Sequence, residues 1–374
     1  MAQKLLLSTP HMSDEGYELE YIHDAFRKNW VAPLGENVNE FEKAMAQYLG
    51  WGYPVALSAG TAALHMAMIE AGVGPGDTVF CQDLTFSASA NPIVYLGAKP
   101  VFIDSERDSW NMDPRAMEKA IERYGVPKAA VVVHLYGNPA KMDAITAICR
   151  NHGIILIEDA AEALGSEYAG KKCGTMGEFG VLSFNGNKVI TTSGGGMLLC
   201  REKRQAEHVL KLATQAREDF PWYQHEEVGY NYRMSNVVAG IGRGQMKVLQ
   251  KRVGQRRAIA EGYRKGLAGL PLTLQPEMEN CLSNCWLSVI LLEEGCGVTP
   301  VQVLSALNDA DIEGRHVWKP MHQQPVFGDA PYVTAEEASV SEDLFARGAC
   351  LPSDSKMTPE DVERVCAVIR GLFG

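Results

Sequence analysis

The chain has 374 residues, 46% of them hydrophobic and 22% charged, with a formal net charge of −11 at pH 7. That length supports one large and one smaller domain around a substantial core, and the ordinary composition excludes disorder as a main theme. The acidic balance argues against a general nucleic-acid surface, which needs clustered Lys and Arg, but leaves room for a local site that holds a small anion.

Lys4 is followed by only three leucines before Ser8-Thr9-Pro10, too short a run for a signal peptide, and the longest apolar runs are strand-sized, so no membrane span is expected. The nine cysteines contain no CxxC pair, and the spacing Cys281 to Cys285 has no further His or Cys arranged as a zinc site. Scattered thiols in odd number point to a reduced, cytoplasmic protein without a metal centre.

Residues 17–26 read as a helix ending near Asn29. The apolar loop Asn29-Trp30-Val31-Ala32-Pro33-Leu34-Gly35 follows, and local sequence favours the Trp30 indole in the core. Asn37 with Glu40 has the form of a capping box, and Val38, Phe41, Met45, Tyr48 and Leu49 recur at helical spacing up to about Gly50. A buried strand over 54–57 turns through Ser58-Ala59-Gly60-Thr61 into an apolar helix over 62–71. Small residues at such a turn let backbone amides approach a phosphate at the positive end of the helix, although the same residues also serve as plain capping.

From there strands and helices alternate. Strands are expected over 78–81, 100–103, 129–134 and 154–157, and helices over 87–96, from Asp113-Pro114 onward, and over 142–151. Short β-branched runs separated by helix-length segments argue for a parallel sheet covered on both faces, which binds ligands beyond the carboxyl ends of its strands. Three residues stand at those ends. Phe86 is either core or a ring presented at the edge; Asp159 is either a helix cap or a carboxylate at the rim of an apolar sheet, where it needs a partner. Lys188 lies between the polar turn after the strand at 181–184 and the glycines 194–196, and is either a solvated loop lysine or an amine held where burial can lower its pKa. From about Gly244 a smaller unit follows, with a long basic helix toward Leu267, a strand over 286–292 and helices opened by Thr299-Pro300 and Thr358-Pro359. Gly240, Gly242 and Gly244 form no dinucleotide fingerprint, since no strand precedes them.

Taken together, a phosphate cradle (Gly60, Thr61, Ser183), a flat aromatic (Phe86), a carboxylate (Asp159) and an amine (Lys188) are the four things that pyridoxal phosphate requires. The blocks that contain them, 58–64, 83–91 with 97–104, 158–165, 183–196 and 229–236, resemble the nucleotide-sugar aminotransferases, and the resemblance spans nearly the whole chain. It implies an α/β, aspartate-aminotransferase-like (fold type I) large domain over 1–245 with a mixed, mostly parallel sheet, and a smaller C-terminal α/β domain over 246–374. It further implies that Lys188 carries the cofactor and shuttles the proton, that Asp159 pairs with the ring nitrogen, that Phe86 stacks, and that Gly60, Thr61 and Ser183 hold the phosphate. Asn231 would reach the phosphate of a neighbouring subunit in a homodimer with shared active sites.

Glu162 stands near the cofactor's ring oxygen where many members carry glutamine, and Ser193 stands where many carry glutamate. A carboxylate at 162 would have to be protonated or accept a hydrogen bond from elsewhere. Pro10-His11-Met12, the loop at 29–35, Asn185-Gly186-Asn187-Lys188 and Val317-Trp318-Lys319-Pro320-Met321-His322 are most similar to the 4-aminotransferases of bacillosamine synthesis. That likeness implies amino transfer from L-glutamate to a UDP-linked 4-keto-6-deoxy-N-acetylhexosamine, giving UDP-4-amino-4,6-dideoxy-N-acetylglucosamine. Trp30, Val31, Ala32, Pro33, Trp318, Lys319 and His322 are then expected at the substrate. Another keto nucleotide sugar, or a non-catalytic cofactor-binding regulator, is the alternative; the acidic charge counts against the regulator, and lysine at 188 counts against a sugar dehydratase of the same fold.

Overall fold

The computed structural model describes residues 4–374. Its first part runs α1 (Tyr17–Arg27), α2 (Glu36–Leu49), β1 (Tyr53–Leu57), α3 (Gly60–Glu70), β2 (Thr78–Gln82), α4 (Asn91–Tyr95), β3 (Lys99–Ile103), α5 (Pro114–Tyr124), β4 (Ala129–Val133), α6 (Met142–His152) and β5 (Ile155–Asp159). Two short strands, β6 (Glu167–Tyr168) and β7 (Lys171–Lys172), precede β8 (Phe179–Ser183), β9 (Gly196–Cys200), α7 (Lys203–Ala213), α8 (Asn236–Met246) and α9 (Leu249–Gly266). The remainder is β10 (Leu272–Leu274), β11 (Cys281–Leu282), β12 (Ser288–Leu292), α10 (Pro300–Asp309), β13 (Arg315–His316), β14 (Tyr332–Val333), α11 (Val340–Arg347), β15 (Gly348–Leu351) and α12 (Pro359–Arg370).

Eight strands form the central sheet in the order β1-β9-β8-β5-β4-β2-β3-β14. All run the same way except β9, which is antiparallel to both its neighbours, so the sheet is mixed and mostly parallel. Alternation along the strands sends side chains to opposite faces. Val79, Cys81, Val131 and Ile157 pack with the buried α3, whereas Phe80, Ala130, Val132 and Leu156 pack with residues of α5 and α6. Both faces are therefore covered, and the carboxyl ends of the parallel strands share one open edge. A four-stranded antiparallel sheet, β10-β12-β15-β13, packs with α9, α10 and α12 around a core of its own. The segment 5–12 straps across it: Leu5 bridges to Ile312, and the Leu7 carbonyl accepts from Ser353 N–H.

Several local expectations change. The helix over 87–96 is a 3₁₀ turn, Ser87–Ser89, followed by α4, because Pro92 cannot donate to the preceding turn. Asn37 and Glu40 form no capping box: α2 starts after Gly35, and the Asn37 amide instead donates to the carbonyls of Asn236 and Tyr21. The basic helix expected from 244 to 267 is divided between α8 and α9. Strand β9, hidden in the sequence by the glycines, is fully buried. Trp30 is not core; its side chain is half exposed and its carbonyl accepts from Asn236.

Candidate active site

At the open edge of the sheet a cavity of about 310 Å³ gathers the ends of β1, β2, β5 and β8. Ser58, Ala59, Gly60 and Thr61 form one wall where β1 turns into α3. No side chain among the described residues caps this helix, which leaves its first backbone N–H groups as donors at the positive end of the dipole. Ser183, at the end of β8, lies against them; a Cβ at residue 60 would come to 3.2 Å from the Ser183 Cβ. Gly196 has the same function at closer range, since a Cβ there would fall 2.3 Å from the Ala59 carbonyl carbon. The glycines thus bring two backbones together and leave a small cradle of amides and hydroxyls suited to an anion.

Asp159, at the end of β5, faces the same cavity. One carboxylate oxygen accepts from Ser89 Oγ at 2.7 Å and the other from Ala161 N–H at 3.1 Å. Ser89 in turn contacts Thr85 Oγ1 at 2.8 Å. The carboxylate is held in place by neutral donors and has no protein cation as an ion-pair partner among the described residues.

Lys188 rises from the loop after β8, and its side chain is only 14% exposed. Burial lowers its pKa, opposed by the attraction of Glu162 and Asp159. Its Nζ lies 3.8 Å from Glu162 and 4.0 Å above the Trp286 ring. Burial likewise pushes Glu162 up to about 7, opposed by Lys188 and by a hydrogen bond from Tyr136 N–H at 2.7 Å. The two groups shift toward each other, the amine becoming easier to deprotonate and the acid harder.

An aromatic wall closes the remaining side. Tyr136 is stacked between Trp286 and Trp318, with centroids 6.4 and 6.0 Å away, and Phe86 leans on Trp318 at 5.5 Å. Phe86 is 54% exposed and lines the cavity, so its ring is available to a flat ligand. The Trp318 backbone N–H donates to Tyr136 Oη at 2.9 Å.

Of the residues expected at the site, Gly60, Thr61, Phe86, Asp159, Glu162, Ser183, Lys188 and Trp318 line this one cavity. Trp30, Val31, Ala32, Pro33, Lys319 and Asn231 do not; all six are exposed on the surface of the chain. His322, expected at the substrate, is also outside. It stacks on Tyr332 and its nitrogens contact Asp83 at 2.8 Å and Glu342 at 2.9 Å, which hold its pKa up against the effect of burial. Sequence reading missed Trp286, Ser89 and Tyr136. Ser89 carried a signal, standing one helical turn beyond Phe86, whereas Trp286 carried none because it reaches the site from the other sheet.

The sequence pattern of the DegT/DnrJ/EryC1/StrS aminotransferase family matches residues 13–370. EpsN of Bacillus subtilis (strain 168), whose own description as a pyridoxal phosphate-dependent aminotransferase is provisional, is 49% identical over all of this chain and 97% of its own length. The GDP-perosamine synthase of Caulobacter vibrioides (strain ATCC 19089 / CIP 103742 / CB 15) is 35% identical, covering 95% of each chain. The crystal structure of DesI in the presence of its TDP-sugar product superposes with a TM-score of 0.90 at 26% identity, over 100% of this chain and 94% of that one.

Proposed function

We propose that this chain, which belongs to the DegT/DnrJ/EryC1/StrS aminotransferase family and is a pyridoxal-phosphate-dependent sugar aminotransferase, moves an amino group from L-glutamate to the 4-keto carbon of a UDP-linked 4-keto-6-deoxy-N-acetylhexosamine. The product would be UDP-4-amino-4,6-dideoxy-N-acetylglucosamine. The observation that carries the catalytic reading is the convergence of Lys188 Nζ, the Asp159 carboxylate and the uncapped start of α3 on one cavity.

The donor set fits the cofactor. The Gly60–Thr61–Ser183 cradle suits its phosphate, the exposed Phe86 ring its flat pyridine, Asp159 its ring nitrogen and Lys188 its aldehyde. When bound, the cofactor supplies an aldehyde that condenses with amines and a pyridinium that withdraws electrons from the reacting carbon. Asp159 keeps that ring nitrogen protonated, and its two neutral donors fix its direction without cancelling its charge. Lys188, poised for deprotonation by burial, takes a proton from one carbon and returns it to the next. Glu162 in its acid form donates a hydrogen bond toward the ring oxygen, while Tyr136 N–H orients its other oxygen. Trp286 and Trp318 screen the amine from bulk water.

The exposed Asn231 and the surface loop 30–33 serve a second copy of the chain in this reading. Phe220, Trp222, Tyr223 and Val228, in the same stretch of chain as Asn231, are also exposed. Asn231 would then reach a partner's phosphate cradle, and Trp30, Val31, Ala32 and Pro33, with Lys319 and His322 at the rim, would contact the nucleotide sugar of a homodimer. All nine cysteines are free thiols, in keeping with a cytoplasmic enzyme, and no helix among the described residues is long and apolar enough to cross a membrane.

A second reading is a GDP-linked 4-keto sugar, favoured by the GDP-perosamine synthase relative. The test is incubation of the purified protein with pyridoxal phosphate, L-glutamate and a panel of UDP-, GDP- and TDP-linked keto sugars, followed by mass analysis. Amination of the UDP-linked 4-keto-N-acetyl sugar alone supports the first reading; preference for the GDP-linked sugar establishes the second; no amination of any sugar removes both.

A further inference from the structure

The peptide that joins Asn187 to Lys188 is held at both ends. Its N–H donates to the Asn185 carbonyl at 3.0 Å. Its carbonyl, on Asn187, accepts from Ser8 Oγ at 2.7 Å and from Trp286 Nε1 at 2.7 Å. A carbonyl oxygen has two lone pairs, and both are used here. Because the peptide group is planar, fixing its oxygen and its nitrogen fixes the plane from which Cα of Lys188 departs.

The two donors come from distant parts of the chain and share one anchor. Arg256 is 1% exposed. Its Nη2 donates to Ser8 Oγ at 2.9 Å, and its Nη1 donates to the carbonyls of Trp286 at 2.6 Å and Ser353 at 2.8 Å. Arg can only donate, and a serine hydroxyl has a single proton. The Ser8 oxygen must therefore accept from Arg256 and commit its proton to Asn187. The Trp286 indole, directed by the same guanidinium through its own backbone, supplies the second donor and also the ring beneath Lys188 Nζ. A buried guanidinium is costly to keep; this one commits Nη2 to Ser8 and Nη1 to the Trp286 and Ser353 carbonyls, while its Nε has no hydrogen-bond partner among the described residues.

We infer that Ser8 is a positioning residue for Lys188, acting through the Asn187 carbonyl as one arm of a clamp whose other arm is Trp286 and whose anchor is Arg256, so that the strap at 5–12 belongs to the active site. The inference rests on the proposed role of Lys188 and deepens it. Ser8 lies outside the cavity, whereas the Trp286 ring forms part of its wall. The clamp sets the direction from which the amine approaches an aldehyde, to which its nitrogen bonds with loss of one water.

The test uses full-length Ser8→Ala and Ser8→Thr proteins, the second keeping the hydroxyl. After removal of cofactor, each is mixed with pyridoxal phosphate and the growth of the visible absorbance is followed in a stopped-flow instrument. Steady-state kcat and KM for L-glutamate are measured in parallel. Loss of one hydrogen bond that orients the amine is expected to slow absorbance growth about fivefold in Ser8→Ala and to lower kcat by a similar factor with KM unchanged, and Ser8→Thr should restore both. Ser8→Ala matching the parent protein in rate and kcat, or Ser8→Thr as slow as Ser8→Ala, overturns the inference. If the parent chain develops no absorbance, the assignment of Lys188 itself fails, which is a separate and recognisable result.

Discussion

Glu162→Gln is the most informative single substitution because it changes one ionisable oxygen for an amide of nearly the same shape. The Glu162 side chain is buried and accepts from Tyr136 N–H through one oxygen, a bond that Gln retains through its carbonyl. In the unfolded chain Glu162 would titrate at its ordinary value near 4.5, whereas in the folded chain burial raises it to about 7. Between those two pH values the folded state holds a proton that the unfolded state has lost, so stability falls as pH rises across the window. The rise from 4.5 to about 7, at about 1.4 kcal/mol for each pH unit, corresponds to about 3 kcal/mol.

The sign is thus settled. Whatever stability the acid form of Glu162 confers is fully present below pH 4.5 and is lost as pH passes through about 7. Gln has no proton to lose. In cofactor-free protein unfolded by urea, the stability of Glu162→Gln relative to the parent should therefore grow by about 3 kcal/mol between pH 4.5 and 7 and then level off. Carboxylates remote from Glu162 cancel in the difference. A difference that stays flat with pH, or that moves in favour of the parent as pH rises, would show that Glu162 is ionised in the folded protein and that its proton plays no part in the site. Removing the carboxylate also removes an attraction that holds the Lys188 pKa up, so the acidic limb of the kcat profile should move to lower pH in the same variant.

Lys188→Ala should bind pyridoxal phosphate without developing the absorbance of the lysine-linked form and should lose turnover by roughly 10²- to 10⁴-fold, the usual contribution of a proton-transferring side chain; a spectrum and a progress curve suffice. Asp159→Asn keeps an oxygen for Ser89 or Ala161 but removes the charge, and kcat should fall by roughly two orders of magnitude with the fold intact by circular dichroism. Gly196→Ala places a methyl group 2.3 Å from the Ala59 backbone; overpacking of about 1–3 kcal/mol is expected in urea unfolding, with weaker retention of cofactor on dialysis.

The distribution of what could be read from the sequence follows from the reach of each interaction. Asp159, Ser183 and Lys188 were legible because each follows a short apolar strand, and a polar group at the end of such a strand in a covered parallel sheet has only the open edge to face. At Glu162 the sequence left two alternatives open, a protonated carboxyl or one that accepts from elsewhere, because the rise of its pKa comes from burial in the folded chain, against the opposing effects of Lys188 and Tyr136. Strand β9 was not legible: a glycine run reads as a turn, yet Gly196 is glycine because the strand must touch Ala59, a contact across the sheet. Trp30 read as core because its apolar neighbours in sequence could not reveal that the loop they form stays on the surface of the single chain.

The least legible part is what aims the lysine. Its loop could be recognised by its flanks, but a loop between a strand and three glycines has no local reason to hold one direction. That direction comes from Ser8, 179 positions before Asn187, and from Trp286, 99 positions after it, and neither spacing has a periodicity to betray it. Each donor contributes a hydrogen bond worth only about 1 kcal/mol in stability, so the fold would survive the loss of either. The two are coupled through Arg256, whose buried guanidinium loses a partner when the Ser8 hydroxyl is removed, and a joined network of this kind costs more to break than its separate bonds would indicate. The strap thereby acts on the chemistry without lining the cavity, the second sheet does so through a ring that carries no reactive group, and a search for reactive side chains at strand ends would pass over both.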